Sequence, residues 1–228
     1  MKMKNGIIQK HGIIVSCQAL EGEPLYGAPI MAKMALAAKL GGAKCIRANS
    51  GCDIKAIKQT VDLPVIGIVK REYLNSAIYI TPTMKEVDEV AESGAEIVAI
   101  DATCRNRPDG STLEEFIKSI RAKYPSLHIM ADISTYEEGV KASQLGVDVV
   151  STTLSGYTEE TKSTQLPNIN LVRKLSRKVP IPVIAEGGIR CPRDLKRALR
   201  AGAYSVVIGS AITRPHLITK SFVEAVSR

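Results

Sequence analysis

Eight short apolar runs punctuate this sequence, and seven of them end directly on side chains that carry charge or hydrogen bonds. In order the ends are Gln18, then Arg47 and Asn49, Lys70 and Arg71, Asp101 and Thr103, Asp132, Thr152 and Thr153, and Glu186; the last run ends on Gly209 and Ser210. A single residue of this kind is ordinarily a solvated loop position. Gathered at one rim, such groups must be desolvated against one another unless a ligand uses them. Amines and carboxylates among them can take and return protons, and cationic or hydrogen-bonding groups can steady a developing anion. EGGI and GSAITRP add a second kind of chemistry. Backbone N–H groups at Gly187, Gly188, Gly209 and Ser210 are little blocked by side chains and precede a segment opening the next helix, an arrangement that holds phosphate, with Arg214 and the Ser210 hydroxyl as further donors.

The elements that must position these groups repeat. Four times a helical pattern ends in Gly-Ala or Gly-Val, at Gly42, Gly94, Gly146 and Gly202, and a β-branched run follows within a few residues. Three more runs are introduced by Pro64, Leu127 and Pro182, and IIVSCQ at 13–18 makes the eighth. Thr83 with Glu86, Ser111 with Glu114 and Thr135 with Glu138 read as capping boxes, and Pro192 and Pro215 fall in first helical turns. The pattern predicts α/β architecture: one (β/α)₈ TIM barrel over residues 1–228 as a single domain, with every strand's C-terminal end on one face. An open doubly wound sheet uses similar units, but no early Gly-x-Gly-x-x-Gly is present.

Composition narrows the function classes. With 228 residues, 45% apolar and 24% charged, the chain suits one well-packed core, built from aliphatic residues because only two Phe, seven Tyr and no Trp occur. The five cysteines, Cys17, Cys45, Cys52, Cys104 and Cys191, are far apart and imply neither a disulfide framework nor a zinc knuckle. A reducing, cytoplasmic setting is expected. The basic start is broken by Gln9, Lys10 and His11 before any signal-peptide core forms, and no apolar run approaches a membrane span, so no membrane association is expected. The net charge of +8 is densest in RDLKRALR, where Arg193, Lys196, Arg197 and Arg200 form one helical face. Without interleaved aromatics this is a solvated stripe, and no nucleic-acid partner is expected. His11, His128 and His216 have no metal-triad spacing, Met31 and Met34 belong to a core face, and Asp53 and Glu21 are surface loop residues.

Along nearly its whole length the sequence resembles the N-acetylmannosamine-6-phosphate 2-epimerases of bacterial amino-sugar and sialic acid catabolism. The resemblance runs through VSCQALEGEPL, GGAKCIRANS, VIGIVKR, YITPT, AIDATCRNRPDG, MADIST, STTLSGYT, VIAEGGI and GSAITRP. It implies a cofactor- and metal-independent isomerase acting on a phosphorylated N-acetylhexosamine, with Lys70 and Glu186 as acid and base and Gln18, Arg47, Asp132, Thr153 and Tyr157 as sugar contacts. Gly188 stands where some family members are expected to carry a larger residue, a difference expected to alter little.

The chemistry is consistent with that assignment. Inverting C2 of the ring-opened sugar requires removing a carbon-bound proton next to the aldehyde, which takes the electrons as an enolate. A base on one face and an acid on the other suffice. For Lys70 to be the base, its pKa must fall from about 10.4 to near neutrality, roughly 4 kcal/mol of disfavoured charge. Alternatively Lys70 stays charged and steadies the enolate while Glu186 shuttles the proton; the residues leave that choice open. Two other functions fit the same barrel: a Schiff-base phosphosugar aldolase with Lys70 as nucleophile, and a regulatory barrel sensing a phosphorylated metabolite. A homodimer through the last helix is the expected assembly.

Overall fold

All eight apolar runs form strands. In the computed structural model, which describes residues 6–226, β1 (Ile13–Cys17), β2 (Cys45–Asn49), β3 (Val65–Ile68), β4 (Ile97–Asp101), β5 (His128–Asp132), β6 (Val149–Ser151), β7 (Val183–Ala185) and β8 (Ser205–Ile208) form a closed parallel barrel in sequence order, with β8 pairing back onto β1. Between them run α1 (Ala28–Leu40), α2 (Gly51–Thr60), α3 (Met84–Glu92), α4 (Leu113–Lys123), α5 (Tyr136–Gln144), α6 (Ile169–Lys178) and α7 (Pro192–Arg200). The short α8 (Ser210–Thr213) and α9 (Pro215–Val226) follow β8. The basic start at residues 1–5 lies outside the described residues.

Two buried shells divide the strand residues by their period of two. Ile14, Cys45, Ile66, Ile68, Ile97, Ala99, Met130, Val149, Ile184 and Val207 share the cluster inside the barrel. Their neighbours Val15, Ile46, Val65, Val98, Ile100, Ile129, Ala131, Val150 and Val183 pack outward against the helices. Continuing the inner set by twos toward the C-terminal ends gives Ser16 and Gln18, Arg47 and Asn49, Lys70, Asp101, Asp132, Ser151 and Thr153, Glu186 and Gly209. The apolar ladder that fills the barrel therefore becomes polar at its mouth.

Helix starts confirm two of the three expected capping boxes. At α3 and α5, Thr83–Glu86 and Thr135–Glu138 close reciprocally. At α4 the box is Thr112 with Glu115, one residue later than Ser111 with Glu114. Both pairs fit the pattern, and Ser111 instead hydrogen-bonds Asp109 at 2.7 Å. Gly42, Gly94, Gly146 and Gly202 all take the left-handed backbone expected of them. Arg193, Lys196, Arg197 and Arg200 face solvent on α7, and Met31 is buried. Glu21 is exposed, but Asp53 is not a surface residue: it is buried in the first turn of α2, where it helps raise the Cys17 thiol. No helix among the described residues is long and apolar enough to cross a membrane.

Candidate active site

Arg47 is the centre of the mouth. Inward-facing on β2 and only 1% exposed, it reaches across the barrel to β5, where Nη1 and Nη2 donate to Asp132 Oδ1 and Oδ2 at 3.1 and 2.5 Å. Nη1 also donates to Glu186 Oε2, beyond β7, at 3.0 Å. Burial alone would lower the proton affinity of the guanidinium; Asp132, and then Glu186, more than reverse that. Thr153 Oγ1 lies 2.6 Å from Asp132 Oδ1, 3.0 Å from Glu186 Oε2 and 2.9 Å from Ser151 Oγ. Thr152 fixes the Glu186 backbone from both sides, its hydroxyl donating to the Glu186 carbonyl at 2.9 Å and accepting from its N–H at 3.1 Å. Glu186 is 15% exposed, and burial, aided by Asp132, raises its carboxyl against the pull of Arg47.

Lys70 follows β3, its backbone N–H held by Asn49 Oδ1 at 2.8 Å and its residue bridged antiparallel to Ile80. The loop beyond it is anchored by Glu86, which is fully buried and takes the Tyr73 hydroxyl at 3.0 Å and Arg71 Nη1 at 2.5 Å. Burial lowers the Lys70 amine to about 8, helped by the charges of Arg47 and Arg214 and partly offset by Glu186 and Glu23. The amine thus lies within electrostatic reach of Arg47 on β2, Glu186 beyond β7, Glu23 in the β1–α1 loop and Arg214 after α8. Gln18, partly buried, donates from Nε2 to Ser16 Oγ at 2.9 Å.

At the other side of the mouth, the turns after β7 and β8 lie side by side. Gly187 and Gly188 have φ values of 99° and 71°, and among the described residues their N–H groups donate to no protein acceptor. A Cβ on Gly188 would meet Leu166 Cβ at 2.5 Å, so this backbone requires glycine. A larger residue here would have to displace Leu166 and the backbone that follows it. Tyr157 is 57% exposed and its ring edge lies beside Gly187, at the rim and not in the centre. Gly209 caps α8, and Ser210 is exposed at its start. Arg214 ends the segment, ion-paired with Glu23 at 3.0 Å.

Comparison with known proteins identifies the family and matches the fold. The family described as "Putative N-acetylmannosamine-6-phosphate epimerase" (NanE) matches residues 31–228. The chain belongs to this family. Among relatives named "Putative N-acetylmannosamine-6-phosphate 2-epimerase", that of Caldanaerobacter subterraneus subsp. tengcongensis is 58% identical, over 97% of this chain and 94% of its own. That of Clostridium perfringens strain 13 is 52% identical, over 95% of this chain and 97% of its own. The solved N-acetylmannosamine-6-phosphate 2-epimerase structure from Clostridium perfringens superimposes with a TM-score of 0.91 at 52% identity, covering 95% of this chain and 93% of that one. A thiamine phosphate pyrophosphorylase from Pyrococcus furiosus, at 20% identity and a TM-score of 0.61, shares the fold alone.

In this member of the epimerase family, several residues of the mouth carried no signal in the sequence. Glu23 sits in the β1–α1 loop with nothing to mark it against Glu21. Tyr79 is half-buried, its phenol raised by burial and by the nearby charges of Asp132 and Asp101. It lies in the YITPT run, where the Lys70–Ile80 bridge brings it back to the mouth. Asp101 was visible as a strand end, but its partners were not. They are Thr103 Oγ1 at 2.6 Å and Arg105 Nη2 at 2.6 Å.

Proposed function

We propose that this protein inverts C2 of an N-acetylhexosamine 6-phosphate, interconverting N-acetylmannosamine 6-phosphate and N-acetylglucosamine 6-phosphate with no metal or organic cofactor. One observation carries the reading. Arg47 hydrogen-bonds Glu186 at 3.0 Å, and the Lys70 amine lies within electrostatic reach of both at the same end of the barrel, in a chain whose relatives are named for this reaction.

Proton counting supports a division of roles. A threonine hydroxyl has one proton. With three oxygens around Thr153 Oγ1, the shortest contact, 2.6 Å to Asp132 Oδ1, has the first claim on it. The 3.0 Å contact to Glu186 Oε2 is then favourable if Glu186 supplies its own proton to a Thr153 lone pair. Its raised pKa points the same way. Glu186 is therefore read as the proton donor and Asp132 as the side chain that binds Arg47. Lys70, with an amine near 8, keeps a neutral fraction on the order of a tenth at pH 7 and is read as the base.

In the forward turn, the Lys70 lone pair takes the C2 proton, and the C–H electrons move into the aldehyde to form an enolate. Arg47 or a neighbouring donor steadies the oxygen. Glu186 then delivers its proton to the opposite face of C2. The enzyme ends with a protonated amine and an ionised carboxylate, the state from which the reverse turn starts, and exchange with solvent resets it. Gln18, Asp132, Thr153 and Tyr157 are read as sugar contacts, and Gly187, Gly188, Gly209, Ser210 and Arg214 as the phosphate site. The five free thiols fit a reducing, cytoplasmic setting. The exposed apolar face of α9 fits a homodimer.

The test is to incubate the protein with N-acetylmannosamine 6-phosphate in heavy water and follow C2 by NMR. Solvent deuterium is expected at C2 of the product and, with time, of the substrate. Lys70→Ala and Glu186→Ala should each abolish deuterated product, while Glu186→Ala, which keeps the base, should still exchange C2 of the substrate. Product that keeps its original C2 proton throughout would sink the scheme. A borohydride-trapped mass increase on Lys70 would point instead to an aldolase.

A further inference from the structure

We propose that Glu23 is a positioning residue for phosphate recognition, acting through Arg214. The proposal rests on the reading of Arg214 as a phosphate ligand. Glu23 grips one nitrogen of that arginine with both carboxylate oxygens, Arg214 Nη2 lying 3.0 Å from Oε1 and 3.2 Å from Oε2. The two residues come from opposite ends of the sequence and meet where β8 closes the barrel against β1. Both side chains are only about a quarter exposed, at 27% and 26%, so the pair is set into the rim.

The carboxylate is fixed independently of the arginine it holds. Glu23 Oε2 accepts the Leu20 N–H at 2.9 Å. The Glu23 backbone closes the same turn, its N–H donating to the Leu20 carbonyl at 2.9 Å and its carbonyl accepting from Tyr26 at 3.0 Å. A held oxygen pair is thus presented to a long, flexible side chain. An unheld arginine must lose its rotamer freedom when an anion arrives; one held by Nη2 has lost it already, and the rest of its planar fork is free to meet phosphate. Among the described residues, Glu23 is the one protein group to which the Arg214 guanidinium donates.

Glu23 also has an opposing effect. A phosphate monoester brings a charge of about −1.5 to −2, which a nearby carboxylate repels. Neutralising Glu23 therefore tests the sign directly: if ordering of Arg214 dominates, affinity falls, and if repulsion dominates, affinity rises. Glutamine is the informative replacement, because its carbonyl can still accept from Leu20 while its amide faces Arg214 with a donor.

Three variants decide the matter: Glu23→Gln, Arg214→Ala and the double substitution, each checked for an unchanged unfolding midpoint. For Glu23→Gln, KM for N-acetylmannosamine 6-phosphate is expected to rise about tenfold with kcat within about twofold. The inhibition constant of inorganic phosphate should rise in parallel, as expected for loss of a charge-assisted contact. The double variant should bind phosphate no more weakly than Arg214→Ala alone, because the ordering that Glu23 provides is lost with that side chain and only its repulsion remains to be relieved. Tighter or unchanged phosphate binding in Glu23→Gln, a fall in kcat at constant KM, or fully additive effects would each overturn the proposal. If Arg214→Ala itself leaves phosphate inhibition untouched, the anion-site reading falls first and this proposal with it.

Discussion

Arg47 and Asp132 are buried and Glu186 partly so, and burial together with the charges of the other two shifts the Glu186 carboxyl. Asp132 raises the Glu186 carboxyl and Arg47 lowers it. Asp132→Asn removes the raising charge while keeping the shape. Glu186 should then lose its proton at lower pH, and one limb of a bell-shaped kcat/KM profile should move toward acid while the limb near pH 8, belonging to Lys70, stays. Movement of both limbs, or of neither, would remove the assignment. Lys70 itself trades stability for chemistry. Its amine titrates near 8 when folded and near 10.5 when free, so between those values the unfolded chain binds more protons and stability rises with pH. Below pH 8 the full penalty applies. Lys70→Met should accordingly stabilise the protein by roughly 2 to 3 kcal/mol at pH 7. That gain should shrink to almost nothing as pH approaches about 10.5, while C2 exchange is lost. Urea denaturation at two pH values measures the effect, and an equal gain at both would show that packing, not charge, is responsible.

The elements were legible wherever local rules govern them. Apolar β-branched runs, seven of them behind Gly-Ala, Gly-Val, Pro or Leu, placed all eight strands, and in the barrel a period of two separates inward Lys70 and Glu186 from outward Arg71 and Thr152. What local rules leave degenerate was misread: Ser111–Glu114 and Thr112–Glu115 have equal spacing, and only the path of the preceding turn selects the second. Pairings across the barrel could not be seen at all. Arg47 and Asp132 are 85 residues apart and meet because β2 and β5 share one interior, a fact of closure and not of any window of sequence. Gly188 is the clearest element-level case, since glycine alone does not say whether a turn is merely tolerant or demanding. Here a left-handed φ of 71° and a prospective Cβ 2.5 Å from Leu166 make it demanding. Gly188→Ala should cost about 1 to 3 kcal/mol of stability. By displacing the turn after β7 it should also raise KM for the phosphorylated sugar more than it lowers kcat. A variant with wild-type KM would show that this turn does not shape the anion site.

At the scale of the whole molecule, closure of the barrel settles where chemistry occurs, and α9 bears on how many copies are needed. Twelve residues make a helix that is marginal in water unless tertiary packing supports it. Yet α9 buries none of its residues within the chain, and it exposes Leu217, Phe222 and Val226 by 41, 71 and 86%. Ile218, Phe222 and Val226 recur every four residues, which puts them on one face. An apolar stripe on a short helix implies a cover, and the homodimer proposed above supplies one from identical surfaces related by a twofold axis. Replacing Leu217 and Phe222 together by Asp should therefore halve the mass measured by sedimentation. It should also weaken the amide-exchange protection of α9 itself while leaving that of the strands intact. A wild-type chain that sediments as a monomer at micromolar concentration, with α9 protected, would mean that the helix is stabilised from within its own chain and that the dimer reading is wrong.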